Sequence, residues 1–148
     1  MAKKFHFRLQ TVLNIREKQV TEAKNELYEV LRLKFQKEAE ITELIKEKNL
    51  QFEAKRKTTL KAMEMQSVKD HINMLNYKIT KAKNELLKIE EIEKIKRNNL
   101  NEALQKEKIL LNLKEKKIEE YKKELNIEET NFLNEISSQM YQRNKNNQ

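Results

Sequence analysis

Apolar residues in this chain return every seven positions. Leu13, Val20 and Leu27 are spaced by seven, and the same position comes back at Ile41 after Lys34. Ala23, Val30 and Leu44 fall on the companion position of the same repeat. Further along, Ile72, Ile79 and Leu86 repeat by seven, with Leu75, Ala82 and Ile89 between them. A third set runs Leu104, Leu111, Ile118, Leu125 and Phe132, with Tyr121 as companion. Two apolar positions per heptad make the seam of a coiled coil. The pattern predicts an all-α chain: one domain, 1–148, of two long helices in an antiparallel coiled-coil hairpin. From Leu86 to Leu104 the step is eighteen residues, a heptad plus eleven. That is a four-residue stutter, which locally unwinds a supercoil.

Lys34, Lys48 and Glu93 interrupt the apolar series. Long side chains can carry their charge from the seam edge to water, so these positions are expected to reach solvent. The reversal is expected where the repeat fades. Thr58 and Thr59 are weak helix formers, and Ser67 followed by Asp70 reads as a capping box whose acid suits the helix dipole. This predicts helix one over about 5–57, a tip over about 58–67, helix two over about 67–141 and a frayed tail over 142–148. A single uninterrupted helix is the rival. Helices of these lengths would span roughly 75 and 110 Å at 1.5 Å per residue. Residues beyond Glu120 would then lack an antiparallel partner, yet Tyr121, Leu125, Phe132, Leu133, Ile136 and Met140 keep an apolar stripe there. An uncovered apolar stripe on a helix is a partner-binding surface. The alternative is a tip nearer residue 72 and arms that match.

Composition supports long helices and removes most chemistry. The 148 residues include no Gly, Pro or Cys, and 38% are charged. Turns draw on Gly and Pro for special backbone angles. Without Gly, no phosphate-binding loop or dinucleotide fingerprint can be written. Without Cys, thiolate catalysis, disulfides and sulfur-ligated zinc are excluded. The formal charge of +8 raises the question of nucleic acid, but acids and bases are interspersed. Glu precedes a base by four at Glu90/Lys94, Glu93/Arg97, Glu102/Lys106 and Glu119/Lys123, the stabilising order on a solvated helix face. The opening is not a secretory signal, because His6, Arg8, Gln10, Asn14 and Arg16 break any apolar core. No apolar run approaches a membrane span. A cytosolic protein is expected.

His6 and His71 are the two histidines and lie far apart in sequence, in no metal-binding spacing. General acid–base chemistry needs a positioned substrate and a perturbed pKa. A two-helix coil offers no cleft that excludes water. No enzyme, no metal, no cofactor and no small-molecule substrate are expected. Phe5 and Phe7 form an anchor at the entry to helix one, either packed on helix two or inserted into a partner. Met63, Met65 and Met74 lie near the tip as irregular filler or as a contact patch.

The opening stretch "FHFRLQTVLNIREKQV" carries the most specific signal. Phe5, Phe7, Arg8, Leu9, Gln10, Val12, Leu13, Ile15 and Arg16, continuing to Ala23 and Leu27, resemble the start of the flagellar FliJ family, with Val20 where an acid is more usual. The likeness is strong over about the first 25 residues and otherwise rests on length, basic balance and coiled-coil character. It implies a stalk similar to that of rotary ATP synthases, bound to the hexameric flagellar export ATPase and linking it to the membrane export gate. Export chaperones are further implied partners, and the implied location is cytoplasmic, at the inner face of the membrane.

On this reading Phe5, Phe7, Arg8, Leu9 and Arg16, with Leu125, Phe132, Leu133 and Ile136, are expected at the end inserted in the ATPase ring. Arg8 and Arg16 would meet acidic loops, since guanidinium suits carboxylate. The resemblance places gate contacts near the start of helix two. Leu75 matches that pattern, while His71 stands where an aromatic is more usual. The heptad position of Leu75 equally makes it a seam residue. Two other readings compete: a basic coiled coil that binds nucleic acid, and the stalk protein of a virulence-type secretion injectisome.

Overall fold

A computed structural model describes residues 4–57 and 61–147, with the side chain of Lys57 left out. Two long helices pack against each other, α1 over Gln10–Lys57 and α2 over Ala62–Asn146. The second is the longer, at 85 residues against 48. Among the described residues there is no strand and no residue with positive φ. This agrees with a composition of good helix formers and no breakers.

Helix α1 begins later than residue 5. The Gln10 N–H donates to the Phe7 carbonyl at 3.1 Å, closing a turn, and the Leu13 N–H then donates to the Leu9 carbonyl at 2.9 Å. The F-x-F segment therefore enters as a turn that buries Phe7 and is not itself helical.

Helix α2 begins earlier than Ser67. The Lys61 N–H donates to Glu64 Oε2 at 3.2 Å, and the Met65 N–H donates to the Lys61 carbonyl at 2.9 Å. Lys61 is thus the cap position, and Glu64 makes the reach-back half of a capping box. Ser67 and Asp70 lie inside the helix, where Asp70 accepts from Gln66 Nε2 at 3.0 Å. The expected tip falls partly on residues 58–60, outside the described residues.

The chain divides into two compact units, Val20–Ala103 and Met1–Gln19 with Leu104–Gln148. In the first, Leu27, Val30 and Ile41 of α1 and Ile72, Leu75, Ile79 and Ala82 of α2 are buried. These are the residues that the heptad pattern selects. Cross-helix ion pairs run Glu26–Lys96, Lys34–Glu93 and Lys37–Glu85, at 3.0, 3.0 and 2.6 Å, and His71 Nε2 lies 3.3 Å from Glu47 Oε1. As the α1 number rises the α2 number falls, so within this unit the helices are antiparallel.

In the second unit Phe7 and Leu13 are buried. The Phe5 ring lies 5.6 Å from that of Tyr121, tilted by 53°. Offset or tilted aromatic pairs at this separation are favourable beyond their buried area. Phe5 is thus packed on α2 through Tyr121, and Phe7 is buried within the same unit.

The third apolar set is only partly a seam. Leu104 and Leu111 are exposed, and Leu100, Ala103, Glu107 and Leu110 are the half-buried positions instead. The heptads of Leu86 continue unbroken through Glu93, Leu100 and Glu107 before an eleven-residue step to Ile118. The stutter exists but lies later than Leu104. Charged residues on the seam hid the true register from a pattern counted on apolar residues alone.

Candidate interaction surfaces

Two surfaces follow from this packing, a polar stretch of the seam and an uncovered length of α2. In the seam, Lys34 and Glu93 meet each other instead of separately reaching water. Glu93 is 8% exposed. Its Oε2 accepts from Lys34 Nζ at 3.0 Å, and its Oε1 accepts from Arg97 Nη2 and Nε at 2.9 and 3.1 Å. Both carboxylate oxygens are satisfied, as burial of a charge requires.

The hydrogen bonds from Lys34 and then Arg97 hold the Glu93 carboxyl below the usual carboxylate range, against desolvation. The same bond to Glu93 raises the Lys34 ammonium above the usual lysine range. Three residues on, Lys37 bridges Glu85 and Glu40 and is likewise raised, chiefly by its bond to Glu85. Glu85 is lowered by the same bond. Lys48, the other charged seam position, is half-buried, with its Nζ 5.8 Å from the Phe52 ring centroid. Opposite charges at 34 and 93 were the available signal for the network, but pairing them requires the antiparallel register.

The uncovered length begins just past Leu125. Ile118, Tyr121 and Leu125 are half-buried, and every residue from 126 to 147 is exposed. Phe132 is 62% exposed, and Leu133, Ile136 and Met140 are exposed with it. The stripe therefore exists, starting several residues later than Glu120.

Of the other residues singled out for an ATPase contact, Phe5 is half-buried against Tyr121 and Phe7 is buried. Arg8 is exposed and Leu9 half-buried; Arg16 is half-buried, its Nη1 donating to Gln19 Oε1 at 3.1 Å. The structure thus gathers the N-terminal segment and the α2 region from Leu104 onward into one unit. Of the two gate residues, Leu75 is 1% exposed and is a seam residue. His71 is half-buried, its Nε2 3.3 Å from Glu47 Oε1, with Met74 and Tyr77 exposed further along.

No group of three or more metal-ligating side chains occurs among the described residues. The depression lined by Thr42, Ile45, Lys46, Asn49, Leu50 and Glu53 is formed by α1 alone. No described helix is long and apolar enough to cross a membrane. No curated protein and no solved structure matches the chain. The family model described as flagellar FliJ protein matches residues 5–146, which include the turn at Phe7, the seam and most of the uncovered end of α2. The chain belongs to the flagellar FliJ family.

Proposed function

We propose that this chain is the stalk-like coupling protein of the flagellar export apparatus, binding the hexameric export ATPase and linking it to the membrane export gate. Membership of the FliJ family gives it a role in flagellar export as a non-catalytic component. The observation that supports the finer reading is the bare end of α2. A helix that continues for some twenty residues past its last covered side chain, while keeping Phe132, Leu133, Ile136 and Met140 on its surface, is built to be received by something else. In this reading the ATPase receives that end, and the exposed Arg8 of the same unit meets acidic loops.

The gate contact falls near the start of α2, on His71 and the exposed side chains of Met74 and Tyr77; Leu75 supports it from within the seam. Export chaperones are a further class of partner in the same reading. The deciding experiment removes everything after Asn126. Because the deleted residues are exposed, the melting temperature should stay within a few degrees of the full chain. Stimulation of the cognate ATPase should be lost, while capture of the gate protein should persist. Full stimulation by the shortened chain would refute this placement.

A further inference from the structure

We propose that the bare end of α2 is also self-complementary, so that two copies of this chain pair antiparallel through residues 129–143, centred on Ile136. The pattern of the segment carries the inference. Glu129, Ile136 and Arg143 are spaced by seven and so lie on one helix face, and Phe132 and Met140 sit four residues to either side of Ile136. All five are exposed. Laid antiparallel on a second copy, this face sets Ile136 against Ile136, Phe132 against Met140, and Glu129 against Arg143 at both ends. The contact is isologous, with the same patch on each copy, and so closes as a dimer without forming a filament.

The charge order points to a second copy in this orientation. From 128 to 135 the charges are Glu128, Glu129 and Glu135 with no base, and from 142 to 147 they are Arg143 and Lys145 with no acid. An antiparallel pair therefore sets the acidic stretch of one copy, Glu128 and Glu129, against the basic stretch of the other, Arg143 and Lys145. A parallel pair would set Glu129 against Glu129 and Arg143 against Arg143, which is repulsive. The paired face is about 21 Å long, far shorter than a permanent coiled coil, so the association is weak and reversible. It shares its residues with the surface proposed to enter the ATPase, so a dimer would be a resting form displaced by that partner. The pairing itself does not depend on that reading, because it is tested on the isolated protein.

Sedimentation equilibrium of the full chain across a concentration series should show a reversible doubling of mass. Glu129→Arg alone and Arg143→Glu alone should each raise the midpoint concentration at least about tenfold, since each replaces two attractive contacts by two repulsive ones. Combining them should return it to near the original value. Both side chains are exposed, so circular dichroism should be unchanged in all variants. The chain has no cysteine, which makes cross-linking unambiguous. A mixture of F132C and M140C copies should form the mixed disulfide faster than either variant bonds to itself. A chain that stays monomeric, a dimer indifferent to the charge changes, or preferential self-linking of F132C would each overturn the proposal.

Discussion

Glu93 is a carboxylate in a position that a coiled coil ordinarily gives to leucine, and its consequences can be measured. Its folded-state pKa lies below its ordinary value because Lys34 and Arg97 bond to the ionised form. Its stabilising contribution is therefore complete above the usual carboxylate range and is lost as pH falls through the depressed folded value. Lys34 behaves in the opposite sense: its contribution is complete below the usual lysine range and is lost as pH climbs through the raised folded value. Chemical denaturation across pH should show an acid limb that is shallower in Glu93→Gln than in the parent chain. Glu93→Leu alone should lower the melting temperature by stranding Lys34, whereas Glu93→Leu with Lys34→Leu should restore it or raise it. A single variant as stable as the double would show that the pair contributes nothing. Leu75 is the apolar counterpart. Truncating it to Ala should cost about 2–5 kcal/mol, as large-to-small core changes do, read as a fall in the denaturation midpoint. A loss of gate binding with no loss of stability would instead mark it as a direct contact.

At the scale of the helices, the cap of α2 is the clearest local device. Glu64→Ala removes the bond to the Lys61 N–H and an acid from the first turn, and should cost about 0.3–1 kcal/mol. Amide exchange at the first turn of α2 should speed up more than exchange at Leu75. Ser67→Ala should change neither, because Ser67 is interior to the helix. These two residues also show what was legible beforehand. The seam at Leu13, Val20, Leu27, Ile41, Ile72, Leu75, Ile79 and Ala82 was readable because apolar side chains at heptad spacing have one efficient way to leave water. The cap was misplaced because a Ser-x-x-Asp pattern carries no information on which preceding turn is already helical. Leu104 and Leu111 were misassigned for a related reason. A register set by ion pairs is invisible when apolar residues alone are counted, and Phe5 could not be assigned to Tyr121 before the pairing of the helices was known.

For the molecule as a whole, the division into two units has a consequence for how it is made. Val20–Ala103 contains the α1-to-α2 connection, so its ion pairs and seam close outward from neighbours in sequence, which is entropically cheap and fast. The other unit joins the segment before Val20 to residues from Leu104 onward, and the Phe5–Tyr121 pair cannot exist until Tyr121 has left the ribosome. Until then Phe7 and Leu13 stay wet, an apolar lead on a helix that is otherwise already zipped. The aromatic turn at Phe7 therefore waits for the part of α2 around Tyr121. A nascent chain stalled before Tyr121 has emerged should be captured by holding chaperones through the segment around Phe7 and Leu13, and released once Tyr121 is outside the ribosome.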